Sequence, residues 1–108
     1  MAEFTQVPFE SAETGRPAAV LEGNPEEFSA ALGLHFERSR DDLDDLDAAK
    51  IRTKSGVYGL LVYHLSHPKP GMEIYISEKA ADPARDLAEV LEAISGVGIR
   101  IRWKEPRL

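Results

Sequence analysis

The sequence predicts a single α+β domain. It would have a mostly antiparallel sheet of three to five strands, one long helix over about 83–95, and one or two short helices over about 25–32 and 40–48. Three observations lead there. Val57–Leu65 is a strand-length apolar run of branched and aromatic residues. Ala84, Leu87, Val90, Leu91 and Ile94 repeat at helical spacing behind Asp82-Pro83. The turns around Val57–Leu65 are too short for the crossover that a parallel pair requires, so its neighbours run antiparallel.

Taken in order, residues 1–16 lack a clean period and read as an irregular arm before a domain spanning 17–108, with one extended stretch at Phe4–Phe9. Ala18–Glu22 suits a short strand. Asn24-Pro25-Glu26-Glu27 is a helix start: Asn caps, Pro already has a helical φ, and Glu27 stands where a capping box needs its carboxylate. Phe28, Ala31 and Leu32 share one face, and Gly33 ends the helix in a left-handed conformation. Leu34–Arg38 alternates like a brief strand. Ser39 followed by Asp42 resembles a cap for a short helix through Ala48, with Leu43 and Leu46 inward and the aspartates in water.

Lys50–Thr53 then reads as a strand and Lys54-Ser55-Gly56 as a turn. Val57–Leu65 is apolar on both alternating faces, which places it at the centre of the sheet. The short helices or a second copy of the chain would cover its second face, so a homodimer is an expectation. Pro70-Gly71 suits the central pair of a type II turn, and Met72–Ser77 is the next strand. Gly96 closes the long helix. In Gly98–Trp103, alternation groups Ile99, Ile101 and Trp103 on a buried face and Arg100, Arg102 and Lys104 on an exposed one. Cations so placed guard an edge strand against aggregation.

Charge is divided unevenly. Residues 1–47 carry twelve acids against three arginines, a net of −9, and residues 48–108 carry seven acids against ten Lys and Arg, a net of +3. Such a dipolar chain steers charged partners. Its overall −6 makes nucleic acid an unlikely partner. No cysteine is present, which excludes disulfides, thiolate catalysis and Cys-based zinc sites. No apolar run approaches the ~20 residues of a membrane span and no signal peptide is evident, so a soluble cytoplasmic protein is the expectation.

The candidate sites follow from these patterns. Asp41, Asp42, Asp44, Asp45 and Asp47 form a carboxylate array suited to a basic protein surface. They do not match a calcium loop, which needs Gly at its sixth and Glu at its twelfth position. His64 and His67 are two imidazoles, too few for a tight metal site. On a strand they point to opposite faces unless Ser66 turns the chain. Gly96-Val97-Gly98 follows a helix and leads into a strand, the reverse of a dinucleotide loop. No hydrolase, phosphate-loop or metalloprotease motif occurs, so neither catalysis nor a cofactor is expected.

Two functional classes result. One is a non-catalytic acidic protein–protein interaction module, such as an inhibitor, antitoxin or immunity-type protein, acting through those aspartates on a basic partner. The other is a small-ligand or sensor domain, its pocket on the apolar sheet face lined by Tyr58, Tyr63, Tyr75, Trp103, His64 and His67.

Overall fold

The computed structural model describes residues 3–9, 15–40 and 44–108. Within them the chain runs β1 (Phe4–Val7), β2 (Arg16–Leu21), α1 (Pro25–Leu32), β3 (Glu37–Arg40), β4 (Asp45–Thr53), β5 (Tyr58–His64), β6 (Met72–Ile76), α2 (Pro83–Ala93) and β7 (Ile101–Lys104). A 3-10 turn at Ser95–Val97 separates α2 from β7.

The helices begin where local chemistry directs. Asn24 Oδ1 accepts from the Glu27 N–H at 2.9 Å, and Glu27 Oε1 accepts from the Asn24 N–H at 3.2 Å, completing the capping box. Gly33 closes α1 at φ 70°. Asp82 Oδ1 accepts from the Arg85 N–H at 3.2 Å to start α2.

The strands form one antiparallel sheet in the order β1-β4-β5-β6-β2-β7. The nine-residue β4 holds two short strands along its outer edge: β1 pairs with its Lys50–Thr53 half, and β3 with its Asp45–Ala48 half. Gln6 ties β1 to the segment just before β3, its side-chain amide accepting from the His35 N–H at 2.8 Å and donating to the His35 carbonyl.

One face of the sheet carries both helices. Leu21, Ile51, Leu61, Met72, Ile74 and Ile76 meet Phe28 from α1 and Leu87, Val90 and Ile94 from α2 in a single cluster. All ten are essentially fully buried, each contributing roughly 1.5–3 kcal/mol relative to exposure. The opposite face holds a smaller cluster of Leu46, Ala48 and Val62, with Phe9, Leu60 and Tyr75 packed against it.

This architecture corrects the predicted fold in three respects. The sheet has seven strands, not three to five, because β1 and β3 are four-residue strands that become strands only by pairing with β4. The region expected as a helix over 40–48 is largely strand: from Asp45 onward it is β4, and Leu46 and Ala48 are buried at strand spacing. Asp41, Asp42 and Leu43 lie outside the described residues. Nor is there one long helix, since α2 is eleven residues and stops at Ala93. The protein is mostly β, with two helices among the described residues, neither long and apolar enough to cross a membrane.

Candidate functional site

The helix-free face gathers most of the predicted pocket residues. Strand alternation places Tyr58, Leu60, Val62 and His64 of β5 there, and the register aligns Leu60 with Tyr75 and Val62 with Glu73. Tyr63 belongs to the other set. It is packed against the helix-side core and does not join the others.

Trp103 reaches this face through an irregularity that alternation misses. Ile101 pairs with buried Leu21, whereas Trp103 pairs with Val20, so Arg102 is the extra residue of a bulge. The bulge turns Trp103 away from the core, and it is 41% exposed where the pattern predicted burial. Ile101, expected inside, is 50% exposed at the rim of the helix side.

Two shallow cavities flank the centre of this face. One, of about 230 Å³, is bordered by Lys50, Tyr58, Leu60 and Tyr75, and Lys50 Nζ stands 4.8 Å from the centroid of the Tyr58 ring. The other, of about 200 Å³, lies between Trp103, Val20, His67 and Lys69.

Polar contacts tie the space between them. His64 lies between two carboxylates, its Nδ1 3.4 Å from Asp44 Oδ2 and its Nε2 3.7 Å from Glu73 Oε1. The Tyr75 hydroxyl donates to Glu73 Oε1 at 2.8 Å. Ser66 donates its backbone N–H to Asp44 at 3.1 Å. Hydrogen bonds from Ser66, with His64 beside them, hold the Asp44 carboxyl below the usual carboxylate range. This array sets His64 between two carboxylates, with the Ser66 and Tyr75 hydroxyls beside them. Among the described residues no three His, Cys, Asp or Glu side chains are placed to hold a metal.

The two histidines do approach in sequence space as a turn, with the His67 N–H donating to the His64 carbonyl. Their rings are engaged separately. His67 Nδ1 accepts from the Lys69 N–H at 3.0 Å.

The aspartates that are described are committed to neighbours. Asp47 Oδ1 accepts from Arg38 Nε at 2.6 Å, and Asp45 faces Arg40 at 3.7 Å across the β3–β4 pair. Asp44 is engaged by Ser66 and His64. They form a cross-strand ladder of opposite charge, with no helical carboxylate array.

At the other edge, Arg102 works as a clamp. It donates to both Glu22 carboxylate oxygens at 2.7 and 2.8 Å, to the Lys69 carbonyl at 2.9 Å and to the Pro70 carbonyl at 3.2 Å. Gly71 makes room for it: a Cβ there would stand 2.8 Å from Arg102 Nη1 and 2.8 Å from Val20 Cγ1. Gly71 is absent from the positive-φ residues, so close approach accounts for this glycine, and the predicted type II turn does not form.

Arg102, followed by Lys69 and Arg100 at longer range, holds the Glu22 carboxyl below its usual 4.5. A depressed carboxyl pKa stabilises the fold above the unfolded-state value, and that contribution is lost as pH falls through the folded-state value. Glu22→Gln is therefore expected to lower the urea midpoint at pH 7, with the gap to wild type closing as the pH drops below 4.5. A gap that stays constant down to pH 3 would show that the loss does not come from the charge of Glu22.

Sequence reasoning missed Glu22, Lys50, Lys69, Glu73 and the role of Arg102. Only the alternation of Glu73 with Ile74 and of Tyr75 with Ile76 carried a local sign of this face. Comparison of the chain with protein-family models, curated proteins and solved structures found no match.

Proposed function

We propose that this protein is a non-catalytic protein–protein interaction module of the inhibitor, antitoxin or immunity type, binding through the helix-free sheet face and the β7 edge beside it. The observation that carries this is the size of the two cavities on that face, cavities of about 350 and 330 Å³ lying away from it around Glu3, Thr53 and Lys54. At about 230 and 200 Å³ the two on the face fall below the ~300–1,000 Å³ typical of small-molecule sites and suit single side chains of a partner. Exposed Tyr58 and Trp103 flank them as aromatic anchors of the kind that dominate interface energetics.

Charge supports the same reading. The acidic run Asp44–Asp47 lies toward the β3–β4 edge, and the basic residues of β7 lie at the opposite edge. A protein partner is oriented by this dipole, with basic surface toward the first edge and acidic surface toward the second. The β3 arginines reduce what the aspartates alone can offer, so the sheet face replaces them as the principal contact. A second copy of the chain on this face is the homodimeric form of the same proposal.

A pull-down from source-cell lysate at low and then moderate salt tests it, comparing the wild-type chain with Trp103→Ala. The expected result is one protein retained by the wild type, weakened by salt and lost from the folded variant. No retained protein, with thermal stabilisation by a small molecule instead, would overturn the reading in favour of a ligand-binding domain.

A further inference from the structure

β7 is an outermost strand of the sheet, hydrogen-bonded to β2 along one side and open along the other among the described residues. Its backbone therefore offers unpaired N–H and C=O groups to an added strand. Arg100 and Lys104 are exposed at its two ends, and Lys69 is exposed on the adjoining loop. Among the described residues none of these three cations has a carboxylate within ion-pair distance. Inward of the edge, over β2 and on the near side of Trp103, lies the 200 Å³ cavity, walled by Trp103, Val20, Glu73 and Lys69.

We propose that the open edge of β7 docks an extended, acidic segment of a protein partner, which joins the sheet as a further strand and lays one side chain against Trp103. This rests on the interaction reading above and specifies its partner chemistry.

Three features select that occupant. The edge hydrogen bonds require an extended backbone. The cations at Arg100, Lys104 and Lys69, none in an ion pair among the described residues, favour negative charge near each end of the added strand. The bulge at Arg102 supplies the third feature, because it turns Trp103 outward, where the side chain of a neighbouring strand meets it.

Glu22 is the chain's own example of a carboxylate at this corner. It lies against Arg102, and Lys69 and Arg100 also favour its charged form. A second copy fits poorly. Two β7 edges side by side bring the same cations of both chains together, and like charges across a strand pair are destabilising. A nucleic acid fits poorly as well, because Glu73 lines the cavity and phosphate oxygens, which only accept, leave the outward C=O groups of β7 unpaired.

The test uses the whole chain and a fluorescein-labelled, end-blocked peptide alternating Glu and Val around a central Leu. Anisotropy reads affinity, and ¹⁵N amide shifts read location. The expected result is saturable binding with Kd below about 1 mM, with the largest shifts at the amides of Arg100–Glu105 and the Trp103 indole. A peptide with Lys in place of Glu should bind about tenfold or more weakly, as should the wild-type peptide to the exposed double variant Arg100→Glu, Lys104→Glu. N-methylation of alternate peptide bonds, which removes edge donors, should abolish binding.

Absence of binding, or shifts centred away from β7, would overturn the proposal. So would tighter binding of a short oligothymidylate than of the acidic peptide, or peptide-insensitive self-association that protects the β7 amides. If the pull-down partner is lost with Trp103→Ala while the peptide leaves β7 unshifted, this inference fails and the interaction reading stands. If no partner is retained at all, the failure lies with that reading.

Discussion

Phe28→Ala is expected to cost about 3–5 kcal/mol of unfolding free energy, the range for removing a fully buried aromatic ring. Phe28 has no exposed surface and is the one buried side chain of α1, so the ring is what docks that helix on the sheet. The cluster it belongs to joins the sheet, α2 and Leu34, and a close-packed core refills vacated volume only in part. Small domains have total stabilities of about 5–15 kcal/mol, so this loss is a large share of the whole. Urea denaturation checks it, and the expected result is a lower midpoint at unchanged slope. A loss under about 1 kcal/mol would mean that α1 is not held by this residue. Leu91→Ala is the internal control: Leu91 is only partly buried at the cluster margin and should lose less.

Gly59→Val should be the second large effect. Gly59 lies on β5 beneath α2, and a Cβ at this position would stand 2.7 Å from Val90 Cγ1 and 2.9 Å from Val90 Cγ2. Those distances are below any real contact, and both partners are held in the core, so the helix must be displaced from the sheet. Overpacking of this kind costs typically about 1–3 kcal/mol, and Val adds two further methyl groups to the clash. Val90→Ala frees the space. The double variant Gly59→Val, Val90→Ala should therefore be more stable than the sum of the two single losses predicts, by a coupling of about 0.5–3 kcal/mol. Strict additivity in denaturant melts would show that the two residues do not touch. The substitution leaves the opposite face of β5, with Tyr58 and Leu60, in place, so partner binding by the fraction still folded should persist.

How much of this was legible in advance depends on how local each signal is. The Asn24–Glu27 capping box and the Asp82 cap are closed within four residues, and both helices start where the sequence predicted. The turn at Lys54-Ser55-Gly56 is equally local, with Gly56 donating to the Thr53 carbonyl at 2.9 Å. The segment around Asp45–Ala48 is the opposite case. Leu43 and Leu46 are spaced as on a helix, and aspartate is a poor strand former, yet the chain is extended from Asp45 onward. Its conformation is decided by β3 on one side and β5 on the other, and by Arg38 and Arg40, which meet Asp47 and Asp45 across the ladder. No window centred on those aspartates contains β5.

The candidate site divides along the same line. Tyr58, Tyr75, His67 and Trp103 are sequence candidates that border the cavities, but the sequence does not tell which of the candidates share a face. Tyr63 was grouped with them and lies on the helix side. Alternation puts Trp103 in the core, because it has no means of registering one unpaired residue. The contact of His64 with Asp44 and Glu73 joins three segments, and Arg102 reaches Glu22 from eighty positions away.

The sequence by itself determined where the helices begin, where the tight turn falls, which strand is most apolar, and that charge is split between the two halves of the chain. Those properties depend on neighbouring residues and on composition. Tertiary structure alone decided that four-residue segments become strands, that Asp45 and Asp47 are laddered with arginines, and that Trp103 faces outward beside a basic edge that is open among the described residues. The physical reason is that strand pairing, register and bulges are set by hydrogen bonds between distant segments, whose energies no local pattern contains.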